Sequence, residues 1–272
     1  MLELATAVTY YEVIEQKVGA TEPVLMAADS KGELHDLYAK LSDKSQYGVK
    51  SLITEALAAC LATDLGICVP QPFIVDITQP FIDSIPCTAT KQRFDKSCKK
   101  AFGSKVVRSR LVAKNEALDV KNLQAAANIF AFDCLIDNFD RGGDKINCLT
   151  DEANFIAIDH EKAFPKSCGI PLLFAKNPWE SGALTSFNDS GTHVFLSQIK
   201  KMAGKINFSI FKDNWENTIS DARLTQYLQA LPTDWTAKEP QTANNIIAHI
   251  TAVRNHIGDC IVEVERVLGV RT

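Results

Sequence analysis

The stretch from Lys121 to Leu149 constrains this chain more than any other. It begins as a helical pattern over Lys121–Asn138 that is apolar nearly all round at its end, with Ile129, Phe130, Phe132, Leu135 and Ile136. A helix of that kind is buried and needs a core on every side. It runs directly into Asp137-Asn-Phe-Asp-Arg141, two glycines and Asp144-Lys145, and then into a short strand, Asn147-Cys-Leu149. A second apolar strand, Phe155–Ile158, ends in Asp159-His160. Polar groups held between buried elements are fixed in place, as a reactive site requires. Asp140, Asn147 and Asp159 supply hard oxygen donors that could converge on one divalent cation. Such a set suits Mg²⁺ with its retained waters and substrate phosphates.

At 272 residues the chain can bury a sizeable core, as one large domain or two modest ones. Its 46% hydrophobic and 23% charged residues are ordinary for a soluble globular protein. A formal net charge of −4 argues against broad nucleic-acid binding, which needs a positive surface. The basic run from Lys91 to Arg110 reads as a solvated surface segment. No apolar run reaches the length of about 18 residues that spans a bilayer. Met1–Tyr11 carries Glu3 and lacks the basic start of a signal peptide. Eight cysteines are scattered without a C-x-x-C pair, several inside apolar runs. They read as reduced thiols, not as a disulfide framework or zinc site, and the expected location is the cytoplasm.

The first part of the chain reads as strands. Val8–Val18 is rich in β-branched and aromatic residues, and Gly19-Ala-Thr-Glu-Pro23 follows as a turn. Pro23–Ala28 is a second strand, Ser30-Lys-Gly32 a hairpin turn, and Glu33–Leu41 a third strand bearing Lys40. Lys50–Leu65 carries an apolar stripe at helical spacing and is stopped by Gly66, with Glu55 off the stripe beside Ala58, Ala59 and Ala62. Phe73–Ile77 is a further strand. Residues 78–115 show no clear pattern, and Phe102-Gly-Ser104 reads as a turn. Helices are expected at His193–Ala203, Phe208–Asn217 and Asp221–Ala230, with one long helix over Gln241–Leu268. A β-rich first third before a helical remainder is the pattern of an α+β protein in two lobes, divided at about residue 105.

The chemistry follows from residue types. Asp140 can accept a hydroxyl proton from a nucleophile, as phosphoryl transfer requires. Asn147 can bind Mg²⁺ without adding charge, and the Asp159 carboxylate can bridge a metal to phosphates. Taken singly, Asp137, Asp140 and Asp159 would more often cap turns and helix ends; the ordered set favours chemistry. Lys40 is a point charge suited to phosphates, and Glu55 is spaced to pair with it, although an isolated pair of this kind is usually solvated surface charge. Backbone N–H groups of Gly19-Ala-Thr21 could lie over phosphates. His160 reads as a hydrogen-bonding structural histidine.

In order, Lys40 in Tyr38-Ala-Lys-Leu41, Glu55 in Thr54–Ala62, Leu65-Gly-Ile-Cys-Val-Pro70, Asp137-Asn-Phe-Asp-Arg141, Asn147-Cys-Leu149 and Ile158-Asp-His-Glu-Lys-Ala-Phe164 resemble the HipA-like kinases. The likeness is to the compact branch without the extra N-terminal subdomain of the HipA toxins. These kinases are distant relatives of protein kinases and phosphatidylinositol kinases. The resemblance runs from about Gly19 to Phe164 and more faintly around Trp235 and Arg254. It implies one kinase domain over residues 1–272 with a protein-kinase-like fold, its β-rich N-lobe about 1–105 and its helical C-lobe about 106–272. ATP would sit in the cleft between the lobes. Lys40, with Gly19, Ala20 and Thr21, would contact the nucleotide; Glu55 would position Lys40; Asp140 would be the base; Asn147 and Asp159 would hold Mg²⁺.

One departure stands out. The toxin pattern places its asparagine five residues after the catalytic aspartate, where this chain has Lys145. The loop is two residues longer here, which makes Asn147 the match and leaves Asp144 as an alternative. The toxins' loop histidine is missing, with Arg141 nearby. The acceptor would be a Ser or Thr of a protein, the chain's own loop at Thr21, or a small molecule. Two other classes compete. A nucleotide-binding pseudokinase acting as an interaction module should have lost Lys40, Asp140 or Asp159, and all are present. A metal-dependent hydrolase would want more His or Asp ligands near Asp159 than His160.

Overall fold

The computed structural model describes residues 1–14, 21–114, 116–143, 146–169, 176–189, 191 and 193–270. The chain is mixed α+β, with a β-rich N-terminal region and a helical C-terminal region. Its elements run β1 (Glu3–Val13), β2 (Val24–Ser30), β3 (Glu33–Lys40), α1 (Val49–Asp64), β4 (Pro72–Asp76), α2 (Gln79–Ser84), α3 (Thr88–Lys96), β5 (Lys100–Lys105) and β6 (Arg110–Leu111). They continue with α4 (Leu123–Leu135), β7 (Cys148–Thr150), β8 (Phe155–Ala157), α5 (Leu196–Lys201), α6 (Ser209–Asn217), α7 (Asp221–Gln229), α8 (Thr233–Lys238), α9 (Thr242–Asn255) and α10 (Ile257–Leu268). Two compact units result. The first comprises Met1–Cys60, Pro70–Val107 and Gln226–Asn244; the second comprises Leu61–Val69, Arg108–Thr225 and Asn245–Thr272.

The first unit is built on a closed barrel in the order β1-β2-β3-β5-β4. Lys31 and Gly32 both have positive φ, 56° and 86°, so the β2–β3 hairpin turns with the twist its strands need. β1 slips register between Ala7 and Thr9 and again between Tyr10 and Glu12, and such bulges bend a strand around a barrel. The barrel closes where Glu3–Thr6 of β1 pairs in parallel with Phe73–Asp76 of β4. Val24, Met26, Leu37, Phe73 and Val75 fill its interior, and Phe81, Ile82 and Phe94 of α2 and α3 join the same core.

The segment without a clear sequence pattern contains α2, α3, β5 and β6. Thr78 Oγ1 accepts the Phe81 N–H at 3.4 Å as the N-cap of α2, with Pro80 in the first turn. The turn expected at Phe102-Gly-Ser104 is instead the middle of β5. A Cβ on Gly103 would stand 2.8 Å from Val75 Cγ2 and 3.2 Å from Leu37 Cδ1. The glycine therefore admits close strand packing where it was expected to turn the chain. The basic run is dissipated by pairing: Arg93 meets Glu22, Lys100 meets Asp76, and Arg110 meets Glu116.

The second unit is organised around α4, where Ile129–Leu135 are all buried. The three-stranded sheet β6-β7-β8 belongs to it. The single helix expected over Gln241–Leu268 is two helices. His256, at φ −118° and ψ 21°, leaves the helical region between α9 and α10. Its ring stacks on Trp179 at 4.9 Å. The break leaves the apolar spacing intact, since Ile250, Val253, Ile257, Ile261 and Val264 are buried on both sides of it. Periodicity alone therefore reads straight across the joint.

Candidate active site

In the first unit, Lys40 at the end of β3 forms an ion pair through Nζ with Glu55 Oε1 of α1. Their side chains are 14% and 3% exposed, so the pair is largely removed from water. Glu55 lies off the apolar stripe on the face of small residues, and Ser51–Ala62 is buried all round. Ala58, Ala59 and Ala62 are small enough to let neighbours close over that face. A buried carboxylate needs a cation, which makes this pair a fixed feature and not surface charge. Of the remaining loop residues expected to touch nucleotide, Thr21 is buried at 5% exposure, while Gly19 and Ala20 lie outside the described residues.

In the second unit, α4 ends in a left-handed turn made by an aspartate. Asp137 has φ 54°, and the Asn138 N–H reaches back to the Asp133 carbonyl at 2.8 Å. Glycine usually takes this position, so Asp137 holds a mildly strained conformation. The loop that follows is tied together through Asp140 and Asn147. Asn147 Nδ2 donates to the Asp140 carbonyl at 2.7 Å and to Asp140 Oδ2 at 3.2 Å. The β7–β8 register, Cys148 opposite Ala157, extends one step further as Ile158 N–H donates to the Asn147 carbonyl at 3.1 Å. Asn147 and Asp159 therefore leave the hairpin at the same end. Asp159 has φ 58° and, like Asp137, is a non-glycine residue in left-handed conformation.

A buried cluster holds this loop, and sequence reasoning missed most of it. Arg141 is 0% exposed and pairs bidentately with Asp133 of α4, Nε to Oδ2 and Nη2 to Oδ1. Arg141 Nη1 donates to the backbone carbonyls of Asn147 and Ile158. One guanidinium thus holds the backbone beside Asp140, at Asn147 and just before Asp159. His160 Nε2 lies 3.0 Å from Arg141 Nη2 and must accept, because a guanidinium only donates. The structural part expected of His160 is the one it plays here. His193 Nε2 lies 3.1 Å from Asp133 Oδ2, and its Nδ1 accepts the Phe195 N–H at 3.3 Å. That pattern describes a neutral ring, and burial lowers the His193 pKa despite the facing carboxylate. Burial alone would raise the Asp133 pKa, but Arg141 and His193 hold it well below the usual carboxylate range. The sequence signal for this cluster was one charge inside an apolar helical run, because such a charge must find a partner. Lys162 was also missed: its Nζ donates to Asp140 Oδ1 at 2.8 Å. Asp144, the alternative to Asn147, lies outside the described residues.

Asp137 contrasts with Asp133. Its Oδ2 is buried without a hydrogen-bond partner among the described residues. Burial pushes its pKa up to about 6, opposed only by Lys166. In an unfolded chain the same group titrates at about 3.9. Folding therefore disfavours the charged form. The penalty is absent well below about pH 3.9, grows between the two values, and is complete above about pH 6, at about 1–3 kcal/mol. Asp137→Asn keeps tolerance of the left-handed backbone and removes the charge. It should stabilise the protein by about 1–3 kcal/mol near neutral pH and change little near pH 4. Denaturant unfolding at the two pH values checks this, and an equal effect at both would reject the buried charge as the cause.

A family model described as HipA-like kinase matches residues 12–263, which gives the class of the protein as a kinase-type phosphotransferase. The chain belongs to the HipA-like kinase family. No curated protein matches it significantly. Membership of a kinase family implies ATP and a divalent metal. Among the described residues no helix is long and apolar enough to cross a membrane.

Proposed function

We propose that this chain transfers the γ-phosphoryl group of Mg²⁺-ATP to a Ser or Thr hydroxyl of a protein, its own chain included. The observation that carries the reading is the joined pair of Asp140 and Asn147, on a backbone held by the buried Arg141. Asp140 takes the proton of the acceptor hydroxyl. Lys40, its charge fixed by Glu55, serves the ATP phosphates, and Gly19, Ala20 and Thr21 are assigned to the same nucleotide. Asn147 commits Nδ2 to Asp140, which turns its Oδ1 the other way. A neutral amide oxygen together with the Asp159 carboxylate makes a hard donor set that fits Mg²⁺. When bound, the metal offsets negative charge on the transferring group. A reducing cytoplasm suits the eight free thiols.

Incubation with γ-labelled ATP, alone and with a cell lysate, followed by mass spectrometry of the product, tests the reading. Label on Ser or Thr is expected. Label confined to small molecules would move the acceptor class, and no transfer under any condition would favour a nucleotide-binding interaction module. The metal assignment has its own test. Asn147→Ala should raise the Mg²⁺ needed for half-maximal activity by about 10-fold or more, with Asp144→Ala near the parent. The reverse result gives the role to Asp144.

A further inference from the structure

Lys162 is the third residue after Asp159, on the turn that follows β8. Its Nζ meets Asp140 Oδ1 at 2.8 Å, while Asn147 Nδ2 meets the other oxygen, Oδ2, at 3.2 Å. The aspartate is therefore gripped from two sides, by a neutral amide and by an ammonium. The two side chains are 30% and 16% exposed, so the pair is at the accessible side of the loop, unlike Arg141 and Asp133 at 0%. Partly exposed ion pairs contribute little to stability. A cation held against this particular carboxylate is better explained by what the carboxylate does. Burial works against the Lys162 charge, but Asp140, and more weakly Asp159 and Glu161, raise its pKa and keep it an ammonium.

We propose that Lys162 is a catalytic residue of the phosphotransfer, donating to the phosphoryl group as it passes from ATP to the acceptor held by Asp140. The inference rests on the phosphotransferase reading given above. In the step, the acceptor hydroxyl gives its proton to the Asp140 carboxylate. The acceptor oxygen forms a bond to the γ-phosphorus, and the bond to the β–γ bridging oxygen breaks, its electron pair leaving with ADP. Lys162 keeps its proton throughout. An ammonium has three donors, so Nζ can hold Asp140 with one and offer another to a non-bridging phosphoryl oxygen. A fixed cation beside the reacting atoms stabilises the charge that gathers there and needs no rearrangement at that moment. The same contact sets the Asp140 carboxylate before substrate arrives.

Lys162→Met and Lys162→Arg in the full chain test this. Lys162→Met should lower kcat by about 10²–10³-fold while the KM for ATP stays within a few-fold, and Lys162→Arg should recover part of the loss. Binding of Mg-ADP with aluminium fluoride, which imitates the transferring phosphoryl, should weaken by about 10²-fold or more in Lys162→Met, with Mg-ADP alone little changed. Melting temperatures of both variants should match the parent. A kcat within about threefold of the parent, or a loss matched by lower stability or by weaker Mg-ADP binding, overturns the assignment to Lys162. If the parent protein itself transfers no phosphate and binds no nucleotide, it is the phosphotransferase reading that fails.

Discussion

Arg141→Met is expected to cost about 3–5 kcal/mol of folding stability, because it strands a carboxylate that water cannot reach. Asp133 is 0% exposed inside an apolar helix. With the guanidinium gone it keeps, among the described residues, the Asn138 amide at 2.8 Å and the His193 ring at 3.1 Å. The carbonyls of Asn147 and Ile158 lose a donor at the same time. The loss should therefore spread to the loop, and any surviving fold should bind Mg²⁺-ATP poorly. Asp133→Leu combined with Arg141→Met removes both charges, and the pair should recover much of the stability lost by Arg141→Met alone. Activity should not return, since the backbone of Asn147 and Ile158 stays unheld. Denaturant unfolding of the single and double variants measures the coupling. A single-variant loss below about 1 kcal/mol would show that the cluster is not what holds the loop.

Asp140→Ala should lower phosphotransfer by about 10²–10⁴-fold, the usual contribution of a positioned general base. Nucleotide affinity should stay within a few-fold of the parent, because Asp140 is assigned to the acceptor proton and not to the phosphates. Asp140→Asn refines the test. It keeps the shape of the side chain but cannot take a proton, so it should be nearly as inactive as the alanine variant. Single-turnover transfer and calorimetric Mg²⁺-ATP binding, measured on the same preparations, separate the two effects. Parent-like transfer by either variant would remove Asp140 from the role of base.

Local rules recovered the parts of this protein that are local. The Ser30-Lys-Gly32 turn is written in two adjacent residues that accept positive φ. Gly66 ends α1 at φ 76°, with the Ile67 N–H reaching the Ala62 carbonyl at 2.9 Å. Thr78 and Pro80 also carried a helix-start signal, but the mixed charges around them obscured it. Gly103 misled because a glycine marks a turn and a crowded strand equally well, and only the neighbours Val75 and Leu37 decide between them. His256 was invisible because the apolar spacing continues across it. In the site, Asp140, Asn147 and Asp159 could be proposed because residue type and order point to their chemistry. Asp133 and His193 stand sixty positions apart, and Lys162 reaches back across a hairpin to Asp140. No periodicity encodes such partners. What sequence could offer was the demand for a partner, set by a charge in an apolar helix.

The barrel of the first unit has a consequence for how the chain is made. β1 leaves the ribosome well before β4, yet one of its edges is closed only by Phe73–Asp76 of β4. β3 waits in the same way, for Phe102–Lys105 of β5. Translation proceeds at about 5–20 residues per second, so bare strand edges persist for seconds on the nascent chain. Such edges are templates for pairing with other chains. Once β5 docks, every strand of the barrel has a neighbour on both sides. Faster elongation through residues 41–105, or a chaperone that shields strand edges, should therefore raise the yield of protein whose finished form needs neither.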